Sequence, residues 1–392
     1  MRRLLVALVA VLLLAPATAA GQELVVYSSL PLQGASATQT RAIVRGIDLA
    51  LVRANGQAGG RNVMHVSLDD STRGAGTWTP ERTARNARRA HRDRNAIAYI
   101  GEFNSGASAI SLPITNHDGL LQVSPSNTAI GLTRDGAGAD SGEPHKYYPA
   151  GERTYGRVIP NDRVQAAAAA TLIRDSGVKR LLVVHDGEVY GSGVARLTAH
   201  AARERGIRVV RTRRLARRGR NAGSIARDAR TRRADAVFYG GITANGAVPL
   251  WRKLGRVSRL RRLVASDGVA ESGFTGRIRR RAARKTRVMV ATLAPEAYPA
   301  SGQEVLAALG SRTDPYALYG YEAMSVILDA INRGGPTRAG VVGAFFATRD
   351  RDSVLGRYSI DEFGDTTLQQ YGVYRVSGGD LVWDRAVDAA AP

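Results

Sequence analysis

The 392-residue chain contains no cysteine and very little lysine. Without a thiol, disulfide bonds, thiolate metal ligands and a lipid anchor attached to cysteine are excluded. The formal net charge of +22 comes almost entirely from arginine, because only four lysines occur. The densest basic run, Arg277 to Arg287, has no interleaved aromatic residue on which a nucleic-acid base could stack. We therefore expect no nucleic-acid partner.

The motifs of common catalytic sites are absent as well. The sequence has no GxxxxGK phosphate loop, no GxGxxG after a strand and no GxSxG nucleophile elbow. The six histidines form no HExxH motif and no pair four residues apart, so no metal site is predicted. Asp69 and Asp70 are adjacent, so they would point to opposite faces of a strand, which favours a turn role over a cation site. We expect no cofactor, and an exported hydrolase is the weakest of the functional classes considered.

A single long apolar run occurs, and it lies at the N-terminus. Two arginines precede the apolar stretch from Leu4 to Leu14, and small residues follow Pro16. This order is typical of a secretory signal peptide. The alternative is a membrane anchor, but the run is shorter than the about 20 residues that span a bilayer. We predict that residues 1–20 are a signal peptide and that the mature protein is exported to the periplasm, cell envelope or extracellular space.

From residue 24 onward, short β-branched runs alternate with Ala-rich amphipathic stretches. Runs such as Leu181–Val184 are apolar throughout, as a parallel strand covered on both faces requires. The alternation predicts an α/β fold of two doubly wound parallel-sheet lobes. Strands are predicted at 24–28, 63–68, 97–100, 120–123, 180–185, 209–212, 236–239, 263–265 and 288–292. Helices are predicted at 38–53, 80–94, 105–116, 163–176, 193–205, 221–231, 245–254, 315–332 and 337–347.

Extended and proline-rich segments are expected to join the two lobes by three hinge crossings. These crossings are predicted near Val158–Asn161, Pro295–Pro299 and Asp352–Arg357. Lobe 1 would comprise residues 21–158 and 296–355, lobe 2 residues 159–295 and 356–376, and residues 377–392 a C-terminal tail segment. A mature chain of about 370 residues is long enough for two hydrophobic cores.

Polar turns follow four of the predicted strands. They are GEFNSGAS (101–108), SPSNT (124–128), GGITANG (240–246) and SDGVAES (266–272). In open α/β sheets, ligands bind beyond the carboxyl ends of the strands. The first two turns bring hydroxyl and free backbone N–H groups to helix starts, which favours an anion. The fourth supplies a carboxylate, Asp267. Together the turns predict a receptor for a zwitterion.

At these residues the chain resembles the type I periplasmic binding proteins, specifically their leucine/isoleucine/valine-binding branch. The landmarks, in order over residues 24–376, are YIGEFNSGAS (99–108), QVSPSNTAIGLT (122–133), RVIPND (157–162), VVHDGEVYGSGVA (183–195), DAVFYGG (235–241), SDGV (266–269), YALYGYEAM (316–324) and YSIDEFGD (358–365). The resemblance implies a monomer that captures an amino acid between two hinged lobes. It would deliver this ligand to the permease and ATPase of an ABC importer. The alternatives are a ligand sensor of the same fold that reports to a membrane receptor, and a binder of another small carboxylate.

The resemblance also implies roles for residues at the backbone end of the ligand. Ser105 and Thr128 would hold the α-carboxylate, and Ser126 would offer its backbone there, with its carbonyl facing the ammonium group. Asp267 would pair with the α-ammonium group. Each residue has a structural alternative: Ser105 as a helix N-cap, Thr128 as a turn hydroxyl, and Asp267 as the turn residue before Gly268.

Other matched positions concern the ligand side chain. Tyr190 corresponds to an aromatic residue on the lobe 2 side of the cleft, although it could equally be a packing residue. Tyr316 corresponds to an aromatic residue of the side-chain pocket. The chain departs from the family at two positions: Ile242 replaces a cleft tyrosine, and Gln39 falls near another aromatic position. The expected ligand is an amino acid with an uncharged, apolar or branched-chain side chain.

Overall fold

The computed structural model describes residues 23–310 and 313–389. The predicted signal peptide, residues 1–20, lies outside the described residues. The strands are β1 (Leu24–Leu30), β2 (Gln57–Ala58), β3 (Arg61–Asp69), β4 (Ser71–Thr72), β5 (Thr77–Trp78), β6 (Ala96–Gly101), β7 (Leu121–Ser124), β8 (Tyr155–Arg157), β9 (Arg180–His185), β10 (Arg208–Arg214), β11 (Ala236–Gly240), β12 (Arg262–Ala265), β13 (Thr286–Val290), β14 (Arg351–Ser353), β15 (Gly356–Tyr358), β16 (Gln370–Ser377) and β17 (Asp380–Asp388).

Helices alternate with most of these strands along the chain. They are α1 (Ala37–Arg53), α2 (Pro80–Arg92), α3 (Ser105–Asn116), α4 (Asp162–Asp175), α5 (Val189–Glu204), α6 (Ala222–Thr231), α7 (Ala247–Leu254), α8 (Ser272–Thr275), α9 (Arg280–Ala283), α10 (Ala300–Leu309), α11 (Tyr316–Gly334) and α12 (Arg338–Phe346). The start of α2 follows local rules: Pro80 occupies the first turn and the Thr79 hydroxyl accepts from the N–H of Arg82.

Lobe 1 is built on a six-stranded sheet in the order β2-β3-β1-β6-β7-β8. All neighbours pair in parallel except β2 with β3. Every residue of β1 and β6 is buried, because α1 with α11 and α2 with α3 cover the two faces of the sheet. The short hairpin of β4 and β5 leaves the sheet after β3 and carries Trp78.

Lobe 2 is built on a seven-stranded sheet in the order β10-β9-β11-β12-β13-β16-β17. The first five strands pair in parallel, and β16 and β17 add to the edge in antiparallel pairing. The two lobes with mostly parallel sheets confirm the predicted fold class.

The prediction of a C-terminal tail at 377–392 is wrong for most of that segment. Residues 380–388 form β17, which pairs with β16 through a turn at Gly378 and Gly379, both with positive φ. The Trp383 ring contacts the Tyr374 ring edge to face, with centroids 5.3 Å apart. These contacts make the segment part of lobe 2.

The third crossing also differs from the prediction. Residues 351–358 form the β14–β15 hairpin, which remains on lobe 1 because Arg351 binds Glu322 of α11 at 2.6 Å and Tyr358 donates to the same carboxylate at 2.7 Å. Asp365 is still bound to Arg157 of lobe 1. The chain crosses to lobe 2 only between Asp365 and β16, so the predicted start of this lobe 2 segment at residue 356 is wrong.

Candidate functional site

A cleft lies between the lobes, at the carboxyl ends of both sheets. All seven residues predicted to bind the ligand line it: Ser105, Ser126, Thr128, Tyr190, Ile242, Asp267 and Tyr316. The lining also contains residues to which the sequence assigned no role in binding: Ser36, Gln39, Trp78, Phe103, Asn104, Gly106, Glu188, Gly268 and Glu271. The cleft therefore brings together turns that are far apart in the sequence.

On the lobe 1 side, the cleft meets the N-terminus of α3. Asn104 occupies the N-cap position and Ser105 is the first helical residue, so the N-cap interpretation of Ser105 is wrong. The Ser105 hydroxyl accepts from the N–H of Ala129 at 3.3 Å. The first amide groups of a helix have no acceptor within it, and they carry the positive end of the helix dipole. This end of the cleft suits a carboxylate.

The turn after β7 lies beside this helix start and is held by its own hydrogen bonds. The Ser124 hydroxyl accepts from the N–H groups of Ser126 at 3.2 Å and Asn127 at 2.8 Å. The Ser126 hydroxyl donates to the Phe103 carbonyl at 3.1 Å, so both its hydroxyl and its N–H group are engaged within lobe 1. Thr128 is buried, and its carbonyl accepts from the N–H of Asp162 at 2.8 Å. These hydrogen bonds fix the conformation of the turn.

On the lobe 2 side, Asp267 follows β12 and presents its carboxylate to the cleft. It accepts from the Tyr190 hydroxyl, from the Gln165 amide at 2.9 Å and from the Tyr316 hydroxyl at 3.5 Å. Burial raises the pKa of Asp267, and the hydrogen bonds from Tyr190 and Gln165 act in the opposite direction. Tyr190 is buried at the start of α5, so its packing role and its contact with Asp267 coexist.

Aromatic and aliphatic side chains form the wall between these two ends. The Phe103 and Tyr316 rings lie 6.0 Å apart at 59°. The Trp78 ring covers the start of α3, where a Cβ on Gly106 would lie 2.9 Å from it. Ile242 lines the wall from lobe 2, and its N–H donates to Asp186 at 3.0 Å. This wall suits an apolar group.

Two further carboxylates line the cleft, and one of them joins the lobes. Glu271 accepts from the Ser36 hydroxyl at 3.1 Å, and the neighbouring Ala270 carbonyl accepts from the Gln39 amide at 3.0 Å. Burial raises the pKa of Glu271, and partial shielding raises the pKa of Glu188, which is exposed at the rim of the cleft. The lobes are therefore closed on each other.

The cleft is acidic although the chain as a whole is strongly basic. Asp267, Glu188 and Glu271 line it, and no lysine, arginine or histidine is among the described residues that do so. A negative potential inside the cleft favours the cationic part of a ligand and disfavours additional anionic groups.

Sequence reasoning missed several of these groups for a physical reason. Gln165 lies on α4, 102 residues before Asp267, and its contact depends on how α4 packs. Trp78 lies on a two-residue strand that has no periodicity of its own. A carboxylate in SDGVAES, Glu271, was visible in the sequence, but its spacing from Asp267 did not show that both face one cavity.

The fold and the cleft define a two-lobed receptor that encloses a small solute. The chain belongs to the periplasmic binding protein family, whose sequence profile matches residues 28–380. The predicted relation to the type I, leucine/isoleucine/valine-binding branch is confirmed. Within the described ranges, no helix has the length and apolar character needed to cross a membrane.

Individual relatives are distant but extend over most of the chain. An amino acid binding protein of Pseudomonas aeruginosa is 23% identical over 357 residues, covering 90% of both chains. The leucine binding protein LivK of Thermotoga maritima superposes with a TM-score of 0.77 at 22% identity, covering 93% of this chain and 99% of LivK. An ABC transporter solute binding protein of Rhodopseudomonas palustris, in complex with p-hydroxybenzoic acid, gives a TM-score of 0.75 at 15% identity and covers 94% and 97%.

Proposed function

We propose that this protein is an exported solute-binding protein that captures an α-amino acid with an apolar, branched-chain side chain. One observation carries the proposal: an anion-binding helix start and a carboxylate lie on opposite lobes of one closed cleft. The N-terminus of α3, with Ser105, would bind the ligand carboxylate, helped by Thr128 and the backbone of Ser126. Asp267 would bind the ammonium group.

The wall of the cleft supports an apolar side chain. Trp78, Phe103, Ile242 and Tyr316 provide it, with burial of each ligand CH₂ contributing about 0.8 kcal/mol. The names of the P. aeruginosa and T. maritima relatives agree with an amino acid as ligand. The R. palustris relative binds an aromatic acid without an ammonium group. Such a ligand would leave Asp267 buried beside it without a cation, which is unfavourable.

The protein would release its ligand unchanged to the permease and ATPase of an ABC importer. The R. palustris relative is described as part of such a transporter, which favours this partner over a membrane receptor for sensing. In this account the protein is a monomer, performs no catalysis, binds no nucleic acid, and is directed out of the cytoplasm by residues 1–20.

A calorimetric and thermal-shift screen of the chain from residue 21 tests the proposal. The panel contains the twenty L-amino acids, p-hydroxybenzoate, a nucleoside and a sugar. We expect leucine, isoleucine or valine to bind with micromolar or lower Kd and to raise Tm at millimolar concentration. Aspartate and glutamate should bind at least tenfold more weakly, because the cleft is already acidic. Binding of the sugar, nucleoside or aromatic acid without amino-acid binding would contradict the proposal.

A further inference from the structure

A second cluster of ligating side chains lies on lobe 1, away from the cleft. His91 is in the last turn of α2, and His117 and Asp118 directly follow α3. Helices in a doubly wound lobe end near the amino ends of the next strands, whereas the cleft lies at the carboxyl ends. The cluster therefore lies at the end of lobe 1 opposite the cleft and takes no part in the proposed amino-acid binding.

The three side chains converge on one point. His91 Nδ1 lies 3.2 Å from Asp118 Oδ2, and His117 Nδ1 lies 2.8 Å from Asp118 Oδ1. The histidine rings meet edge to face, with centroids 5.8 Å apart and an interplanar angle of 84°. One ligand atom from each residue lies within 4.8 Å of the others. A tetrahedral ion with bonds of about 2.0–2.1 Å needs separations of about 3.4 Å, so small side-chain rotations suffice.

The Nδ1 atom of His91 provides a second observation that points to a ligand. His91 Nδ1 is shielded from solvent and makes no hydrogen bond with any described residue, since its contact with Asp118 is not aligned for one. A buried imidazole nitrogen without a partner is unfavourable unless something else binds it. The two other side chains that could coordinate an ion already face the same point.

The surroundings include both favourable and opposing charges. The C-termini of α2 and α3 meet here, and the negative ends of their dipoles favour a cation. Arg338 lies nearby and opposes it, but its guanidinium is held by the carbonyls of Asp93 at 2.9 Å and Ala96 at 3.0 Å. The guanidinium also donates to the Asp118 backbone carbonyl at 3.5 Å and acts on the Asp118 carboxylate through its charge, whereas the carboxylate oxygens contact the two histidines.

We infer that His91, His117 and Asp118 form a binding site for one divalent transition-metal ion, with Zn²⁺ as the best match. Imidazole and carboxylate are ligands that Zn²⁺ accepts, while Ca²⁺ and Mg²⁺ prefer sets made only of oxygen. Three protein ligands leave the fourth tetrahedral position to water. An ion bound here would hold the ends of α2 and α3 together and stabilise the folded state by mass action.

Titration of ZnCl₂ into the tag-free chain from residue 21, followed by calorimetry, tests the inference. We expect one saturable site with a Kd in the micromolar range, and a rise in Tm that a chelator reverses. The His117→Ala variant should lower the affinity at least tenfold, and its own fold should be intact because His117 is exposed. The His91→Gln variant should lower it similarly.

The matched control is His200→Ala. His200 also pairs with a carboxylate, Glu204 at 3.2 Å on an exposed helix face. Among the described residues, however, neither side chain belongs to a group of three that could hold a metal ion. Its loss should leave Zn²⁺ affinity unchanged. Absence of a saturable site in the wild-type chain would overturn the inference. Equal losses in the His117 and His200 variants, or a His91→Gln variant that binds like the wild type, would overturn it too.

Discussion

Asp267 is the residue proposed to bind the ammonium group of the ligand, and a near-isosteric change isolates its charge. We predict that Asp267→Asn lowers amino-acid affinity at least tenfold, because a hydrogen bond to a charged partner contributes about 1.5–3 kcal/mol. Its partners Tyr190 and Gln165 should keep the side chain in place. The measurement is calorimetry with the wild-type ligand, with thermal unfolding to check the fold.

Glu188→Gln is the matched control for this prediction. Glu188 lines the same cleft but is exposed at its rim, so its neutralisation should reduce affinity less than threefold by the screening expected for exposed charges. If the Asp267→Asn variant bound the amino acid as tightly as the wild type, Asp267 would be only a turn residue. A larger loss in Glu188→Gln would place the ammonium group elsewhere.

A buried pair of carboxyl groups below the site gives a second residue-scale prediction. Asp70 and Glu102 are both 0% exposed, and the Glu102 carbonyl accepts from the Ser124 hydroxyl of the ligand-binding turn at 2.9 Å. Burial raises the pKa of Glu102 to about 7 and that of Asp70 above its usual range. The folded protein therefore binds more protons here than the unfolded chain does.

Because the folded protein binds more protons than the unfolded chain, the free energy of unfolding falls as the pH rises. Stability from this pair is present below the unfolded pKa, about 4.5, and is lost as pH rises through about 7. We predict that wild-type protein loses free energy of unfolding relative to Glu102→Gln over this window. Urea unfolding of both proteins from pH 4.5 to 8 measures the difference. A difference that is constant, or that grows in favour of the wild type with pH, would refute the assignment.

At the scale of elements, a buried ion pair ties the hinge to the ligand-binding turn. Arg157, at the end of β8, lies 2.8 Å from Asp365 and is 0% exposed. Its guanidinium also donates to the carbonyls of Asn127 at 2.9 Å and Ala129 at 3.0 Å, which flank Thr128. The segment before the third crossing thus fixes the loop that we propose as the binding site of the ligand carboxylate.

We predict that Asp365→Asn lowers the free energy of unfolding by about 3–5 kcal/mol, because it leaves a buried arginine without its counter-charge. The control is Asp350→Asn, which affects an exposed pair with Arg357 at 3.6 Å and should change stability by less than about 1 kcal/mol. Equilibrium denaturation measures both. Similar small effects in the two variants would mean that the hinge pair contributes no more than a surface pair.

Elements with a strong hydrophobic period could be predicted from the sequence. Predicted helix 38–53 corresponds to α1 at 37–53, and predicted strand 180–185 matches β9. The sequence did not predict the short helix α10. The proline-rich segment before it was interpreted as a crossing between the lobes, and the polar stretch GQE interrupts the apolar pattern of the helix. The β14–β15 hairpin was interpreted as a crossing between the lobes, because its strands are three residues long and largely polar. Whether such a segment forms a helix, a hairpin or a crossing depends on its contacts with distant residues, which the local sequence pattern does not show.

At the scale of the whole molecule, the two ends of the ligand site lie on different lobes, so neither lobe alone satisfies a zwitterion. Direct contacts also join the lobes: Gln39 donates to the Ala270 carbonyl at 3.0 Å inside the cleft, and Arg196 donates to Asp140 at 2.8 Å outside it. The class of fold was predictable from the alternation of strands and helices, and polar turns at strand ends indicated residues that the structure brings to one cleft. The acidic cleft and its aromatic wall required the packed structure.

We predict that ligand binding favours this closed arrangement over a more open one, with the lobes moving about their three crossings. Small-angle scattering should show a smaller radius of gyration with saturating amino acid than without it. The Arg196→Ala variant, which loses a contact outside the ligand cleft, should still close with ligand. A radius of gyration unchanged by ligand in the wild type would indicate a cleft that is closed at all times.

Our proposal requires that each lobe recognises one charged end of the amino acid. Calorimetry of L-leucine against 4-methylpentanoate, which lacks the ammonium group, and 3-methylbutylamine, which lacks the carboxylate, tests it directly. We predict that each analogue binds at least tenfold more weakly than leucine, because each leaves one charged end of the cleft unpaired. Equal affinity for leucine and 4-methylpentanoate would contradict it.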